Sequence, residues 1–442
     1  MHLPHIINMN THPTTHAFEQ IGTHWSENMR AFIKQHINDD TCELLLSASR
    51  YGDINMQFAA HQIEARRKLR DKLPEWYDND DIVMGGKIPA ELCSSEQTAR
   101  FKRSIIQGRS LCDLTGGMGV DFWYMSEGMD TAIYTERDAW LCECAEHNMA
   151  ALSASRNPSA GSTIFLIRHG DGRLLPIPDV DVIYLDPARR SSDGGRVYAI
   201  EDCEPNVLDW QDLLLSHAST VLVKLSPMID LSDMLSKMSH VTDVYIVAVR
   251  NECKEMLVKM QAESSKLCEK DKSEEKGESL ESAAEGGGRD VVIHCVDFMP
   301  TTTISHAFVL SDSKPVRVTD EGVMRYLFEP DVTLMKAQAF GSLCHDFDVV
   351  QLDVQTHLMT SASPCPNFPG RRFEVEEVIP FSSHVVKRLP RLIPKANIST
   401  RNFVLTADQL RKKTGIKDGG DIFLFGASVK GEGNVIIRCK KI

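Results

Sequence analysis

Asp113-Leu114-Thr115-Gly116-Gly117-Met118-Gly119-Val120-Asp121 overlaps the end of a short apolar run at 111–114 and precedes an amphipathic one. Glycines at such a junction let the backbone turn tightly and approach a ligand set against exposed amides at a helix N-terminus. Downstream, apolar runs at 131–135, 163–167, 182–185, 220–225 and 241–249 alternate with helical stretches such as 140–152 and 207–217. Near-continuous apolar strands between amphipathic helices predict an α/β fold with a Rossmann-like, doubly wound parallel sheet covered on both faces. Ligands of such sheets bind beyond the carboxyl ends of the strands. The residues that carry chemistry are therefore expected in the loops after each strand.

Those loops are acidic. Asp113 ends the first strand, where a carboxylate suits a ligand with a positive amino group. A dinucleotide fingerprint would need a small residue after Gly117-x-Gly119, and Phe122 stands there instead. Glu136 ends the second strand and can accept both ribose hydroxyls in bidentate fashion. The third strand is followed by His169-Gly170-Asp171-Gly172, whose Asp can accept a hydrogen from an adenine amino group; the fourth ends in Asp186-Pro187-Ala188-Arg189-Arg190. Taken singly, such residues are commonly helix caps or turn formers. Their shared register, each just past a successive strand, is what argues for one crevice. S-adenosylmethionine carries the amino group in question, besides its sulfonium.

The run DLTGGMGVD, the following Glu136, the HGDG turn and the DPARR motif resemble class I S-adenosylmethionine-dependent methyltransferases. Together with NFPGRRFEV at 367–375 and KRLP at 387–390, the chain from about Cys93 onward is similar to a bacterial family that joins such a domain to a small ferredoxin-like segment and a THUMP-like C-terminal domain. The resemblance implies a cofactor pocket built from Asp113, Thr115, Gly116, Gly117, Gly119, Asp121, Glu136, Arg137, Asp171 and Asp186. It also implies a target-side loop in which Asp186, Pro187 and Arg189 serve catalysis. In methyltransferases acting on exocyclic amines of bases, an Asn, Asp or Ser precedes two prolines and an aromatic. The side chain and a carbonyl accept the amine hydrogens while the aromatic stacks on the base. Here Asp186-Pro187 keeps the acceptor and the stiff turn, Ala188 replaces the second proline, and Arg189 stands in the aromatic's place. Arginine stacks on bases and pairs with phosphate. Lys224, after the fifth strand, can approach the same crevice, although a lysine at a strand end is more often a solvated charge. Residues 251–254 follow the sixth strand near the same rim.

The chain has 442 residues, 42% hydrophobic and 25% charged, which predicts several globular domains. It contains no run of about 18 apolar residues for a spanning helix. Its first twenty residues lack the apolar stretch of a secretory signal, so a cytoplasmic location is expected. Twelve cysteines without a C-x-x-C pair, and sixteen histidines without metal-site spacing, predict no metal. The net charge of -13 hides an asymmetry: from Arg371 onward 15 Lys and Arg face 7 Asp and Glu, a balance of +8. The expected organisation is a helical N-terminal region at 1–105 and a methyltransferase domain at 106–312 with a disordered insertion at 262–290. A ferredoxin-like α+β segment at 313–370 and a basic THUMP-like domain at 371–442 follow. Earlier in the chain, Ser94 and Gln97 fit a capping box, although a plain helix start is the commoner reading, while Pro330 is expected to open a helix and 349–354 to form a strand. The expected activity is methylation of a base in structured RNA, tRNA or rRNA, with RNA bound through 371–442. Two alternatives are an RNA-binding protein whose methyltransferase fold is weak or inactive, and a methyltransferase for protein or a small molecule.

Overall fold

In the computed structural model, residues 19–155, 163–189, 199–262, 290–312 and 314–442 are described. The chain divides into two units, residues 1–224 with 260–267, and residues 225–259 with 268–442.

The first unit begins with helices alone: α1 (Glu19–His24), α2 (Glu27–Gln35), α3 (Thr41–Leu46), α4 (Met56–Leu69), α5 (Pro74–Asp78), α6 (Lys87–Leu92) and α7 (Glu96–Ser104). Strands then alternate with helices: β1 (Ser110–Asp113), α8 (Val120–Met125), β2 (Thr131–Glu136), α9 (Ala139–Ser155), β3 (Ile164–His169) and β4 (Val180–Leu185). Two-residue strands β5 (Ala188–Arg189) and β6 (Cys203–Glu204) pair antiparallel, and α10 (Gln211–His217) leads into β7 (Ala218–Leu225). The five long strands lie parallel in the order β7-β4-β1-β2-β3. The order reverses between β1 and β4, which makes their carboxyl ends the switch point where such sheets bind ligands. Apolar β1 residues Leu111 and Cys112 are fully buried, as are Phe122, Trp123 and Tyr124 of α8. Burial of each such aromatic contributes on the order of 2–3 kcal/mol, and together they fix the loop 114–119 between strand and helix.

In the second unit α11 (Leu231–Lys237) precedes β8 (Val241–Val249), β9 (Glu252–Gln261), β10 (Val292–Phe298) and β11 (Thr303–Val309), ordered β11-β10-β8-β9. Seven further strands follow: β12 (Tyr326–Pro330), β13 (Val350–Gln351), β14 (Met359–Ser361), β15 (Gly370–Pro380), β16 (Asn397–Arg401), β17 (Ile422–Val429) and β18 (Gly433–Lys441). They form a sheet in the order β13-β14-β12-β15-β18-β17-β16. Helices α12 (Val332–Lys336) and α13 (Phe340–Asp346) lie between β12 and β13; α14 (Ser383–Leu392) and α15 (Ala407–Thr414) flank β16. One core around Leu389, Ile393, Leu410 and Leu424 joins α14 and α15 to the sheet.

Several local expectations shift. The cap of α7 is Ser95, which accepts from the Thr98 amide, because Ser94 is drawn inward to Asp121. Pro330 ends β12 rather than opening a helix, and Asp331 caps α12. The strand expected at 349–354 shrinks to Val350–Gln351, and 207–217 splits into a single 3-10 turn and α10. The expected insertion at 262–290 lies outside the described residues except for its two end positions. Among the described residues no helix is long and apolar enough to cross a membrane.

Candidate active site at the strand switch point

β1 ends in Asp113, 1% exposed, whose Oδ1 accepts the Thr115 amide at 2.9 Å. The chain then turns through two left-handed glycines, Gly117 at φ +54° and Gly119 at φ +81°. Gly116 has a steric reason of its own. A Cβ there would sit 2.1 Å from the Tyr134 ring, while at Gly117 a Cβ would meet only Thr115 O at 3.8 Å. The first glycine is packed shut and the second borders open space. Tyr134 also donates its hydroxyl to Gly117 O at 2.6 Å, and the Gly116 amide donates to Thr135 O at 2.9 Å. The end of β2 thus moulds the loop that follows β1.

Glu136 accepts from the Gly117 amide at 2.8 Å through Oε2 and from the Asp138 amide at 2.9 Å through Oε1. Arg137 beside it is exposed, and its carbonyl contacts His169 Nε2 at 3.2 Å. After β3, Asp171 accepts from Arg173 Nε and from the Arg173 amide, both at 2.9 Å, and Arg173 reaches on to Glu204. The Arg173 hydrogen bonds hold the Asp171 carboxyl down at about 2. After β4, the Asp186 amide donates to Thr115 Oγ1 at 2.6 Å, tying the two central strand ends together. Asp186 is not the helix cap that one reading allowed: its carboxylate pairs with Lys224 from the end of β7. Pro187 is buried, and Arg189 sits in β5 opposite Cys203, its side chain outside the described set along with Arg190.

The charges of this cluster act on one another. Burial pushes the Asp113 carboxyl well above its ordinary value, and the Asp121, Asp186 and Glu136 carboxylates add to the rise against the Thr115 amide. Asp121, expected on the cofactor side, is committed elsewhere. It accepts from Ser94 Oγ at 2.8 Å and Tyr184 OH at 2.7 Å and lies 3.1 Å from Lys102 Nζ, a fully buried ammonium. Burial opposes its charge, yet Lys102 and then Lys224 pull its carboxyl below the ordinary range. Asp113, Glu136, Asp171 and Asp186 are thus gathered at the ends of four neighbouring strands, with Thr115, Gly116 and Gly117 between them. Sequence reasoning missed Lys102, Tyr134 and Tyr184. The signal for Lys102 was a lysine four residues after Thr98 on the face that buries Ala99. Lys224, expected either to approach the crevice or to be a solvated charge, has a side chain only 14% exposed.

Two family models match the C-terminal part: a ferredoxin-like domain over residues 326–369 and a THUMP domain-like model over residues 370–441. A search of curated proteins finds no match. Among solved structures, the chain is similar to a "putative methyltransferase" from Porphyromonas gingivalis W83. The identity is 33%, covering 93% of this chain and 97% of that one, at a TM-score of 0.80. It is also similar to a "putative class I S-adenosylmethionine-dependent methyltransferase" from Listeria monocytogenes (12% identity, 53% of this chain and 88% of that one, TM-score 0.30). A third likeness is to an RNA methyltransferase from Salinibacter ruber in complex with S-adenosyl-L-homocysteine (14%, 38% and 88%, TM-score 0.23).

Proposed function

Because the chain belongs to the methyltransferase family of the Porphyromonas gingivalis protein, a class I fold with ferredoxin-like and THUMP-like domains, we propose that it transfers a methyl group from S-adenosylmethionine to a base in structured RNA, tRNA or rRNA. The observation that carries the reading is the row of carboxylates at the ends of β1 to β4, next to a glycine loop whose Gly117 borders open space. Such a row of acceptors fits a donor-rich ligand: an ammonium, two ribose hydroxyls and an adenine amine. Asp113 would take the ammonium, Glu136 the ribose and Asp171 the adenine edge, with Thr115, Gly116, Gly117, Gly119 and Arg137 shaping the pocket. When bound, the cofactor supplies an electrophilic methyl on sulfur.

On the target side, Asp186 and the Pro187 turn hold the nucleophilic nitrogen, and Arg189 approaches the base or its phosphate. A cavity of about 290 Å³, lined by Arg173, Cys203, Pro205, Asn206 and Trp210, lies beside β6, the strand that pairs with β5 of the target loop. The Trp210 indole offers a stacking face for a base. The domain organisation proposed is a methyltransferase domain at 106–312, a ferredoxin-like segment at 313–370 and a basic RNA-presenting domain at 371–442. Part of the basic surplus is already paired within the protein. Arg371 and Arg401 both pair with Glu329, 3% exposed, and Arg438 pairs with Glu376. The remaining positive charge concentrates on two helices that share a core: Lys387, Arg388 and Arg391 of α14 and Lys412 and Lys413 of α15 are exposed, as is Lys417. RNA is expected to bind there.

The test is incorporation of labelled methyl into bulk RNA from cells lacking the gene, beside calorimetry with S-adenosylmethionine. One binding site, weakened strongly by Asp113→Ala or Glu136→Ala, and incorporation abolished by Asp186→Ala are expected. No cofactor binding sinks the enzyme reading, and binding without transfer to any RNA sinks the choice of substrate.

A further inference from the structure

Lys224 is the one cation whose ion pair reaches the target loop itself among the pairs described at the switch point. It leaves β7 beside β4, and its ammonium meets the Asp186 carboxylate, which is itself 39% exposed. The Asp186 backbone is held independently by Thr115 Oγ1. Behind Lys224 stands Asp121, fixed by Ser94, Tyr184 and Lys102, and Lys224 contributes to holding that carboxyl low. Lys72 and Cys93, from the helical N-terminal region, also feel Lys224, and Asp113 feels Asp186. The result is an alternation of sign, Lys102, Asp121, Lys224, Asp186, that runs from a buried helix face to the loop expected to hold the target.

We propose that Lys224 is a positioning residue of the methyl-transfer site: its ammonium fixes the Asp186 carboxylate as acceptor for the amine hydrogen of a nucleobase and cancels the charge this carboxylate would otherwise set against a sulfonium. The inference rests on the function proposed above. A free carboxylate on a loop rotates and attracts any cation; one pinned by an ammonium presents its remaining lone pairs in a set direction. As the amine nitrogen forms its new bond to carbon, the carbon–sulfur bond breaks with its electron pair left on sulfur. The surplus N–H proton passes to the Asp186 carboxylate and from there to water. Pairing with Lys224 also neutralises the Asp186 carboxylate, so this residue sets no strong electrostatic preference between the cationic methyl donor and its neutral product.

Binding and turnover test this separately in the full-length protein. Dissociation constants for S-adenosylmethionine and S-adenosylhomocysteine are measured for wild type, Lys224→Met, Asp186→Asn and the double variant. Removal of Lys224 should shift the affinity ratio about tenfold toward the cationic donor, and Asp186→Asn should shift it the opposite way, with the double variant near wild type. In RNA methylation, Lys224→Met should lower kcat about 100-fold with KM for RNA changed less than about threefold, and Lys224→Arg should restore most of kcat. Equal ratios across all four proteins, or Lys224→Met turning over at the wild-type rate, overturn the inference. Should Lys224→Met fail to fold, Lys224→Arg and Asp186→Asn decide it through the ratio alone. A wild-type protein that binds the donor but methylates no RNA removes the substrate reading, and the charge cycle then still decides the role of Lys224.

Discussion

Gly116→Ala is the sharpest perturbation of the loop on which the cofactor reading depends. The added Cβ would lie 2.1, 2.4 and 2.5 Å from three atoms of the Tyr134 ring, where ordinary contact begins near 3.4 Å. The ring must therefore retreat by roughly 1 Å or more, as overpacking in a close-packed core demands. It has little room: Tyr134 is fully buried, meets Phe122 edge-on at 5.5 Å and donates its hydroxyl to Gly117 O. Overpacking of this kind costs about 1–3 kcal/mol, and stranding the buried hydroxyl and carbonyl costs about 1–2 kcal/mol more. The total, about 2–5 kcal/mol, corresponds to a fall in melting temperature of roughly 4–20 °C for a unit of this size. Gly117→Ala provides the contrast, since its Cβ is unobstructed and only the left-handed backbone is strained, at about 1–2 kcal/mol. Scanning calorimetry of both variants should rank Gly116→Ala as the more damaging. Combining it with Tyr134→Leu should recover at least about 1 kcal/mol relative to the sum of the single changes. A Gly116→Ala protein that melts within about a degree of wild type, or a cycle with no coupling, refutes the packing argument.

Three further outcomes are expected. Asp113, with its carboxyl raised by burial and neighbouring carboxylates, holds a proton in the free protein above the pH at which an unfolded chain loses it. Its stabilising contribution is present below the unfolded value and is lost as pH rises through the folded one. An ammonium-bearing ligand requires the ionised form, so S-adenosylmethionine affinity should rise with pH across the folded value, up to about tenfold per unit, with proton release. Calorimetry in buffers of different ionisation enthalpy reads this, and a flat profile that matches Asp113→Asn counts against the assignment. Lys102→Met strands Asp121 in a buried site and should cost about 3–5 kcal/mol by urea unfolding; a loss below about 1 kcal/mol contradicts a buried ion pair. Lys412→Ala with Lys413→Ala should leave cofactor binding intact. It should lower the salt slope of RNA affinity by about 1–2 in filter binding, whereas an unchanged slope places the RNA elsewhere.

The strands and their loops were legible because two periodicities coincide in this chain. Buried parallel strands leave near-continuous apolar runs, and a ligand site at a switch point leaves an acidic residue at each run's end. Val241–Val249 was readable to the residue; Asp113 lies at the end of the first strand expected, and Glu136, Asp171 and Asp186 lie beyond the next three. What failed was local. Ser94 and Ser95 are equally good caps by sequence, and only the pull of Asp121, far along the chain, decides between them. Pro330 is tolerated in β12 at the strand's last position, a placement that a helix-start rule does not anticipate.

The deeper omission concerns cations rather than carboxylates, and it has a physical cause. An acidic residue after a strand declares itself because apolar strands rarely end that way by chance at four successive edges. A lysine carries a long apolar stem, so it fits a buried strand or helix without disturbing the pattern, and its charge is placed by the partner rather than by its position. Lys224 lies near the end of an apolar run and Lys102 shares its buried helix face with Thr98 and Ala99, so neither breaks the periodicity on which the reading relied. The carboxylates could be found one strand at a time. Lys224 could be named as a candidate for the crevice, but its pairing with Asp186, like that of Lys102 with Asp121, becomes visible only when the strands stand side by side, and it explains how an acidic crevice can hold its charges close together.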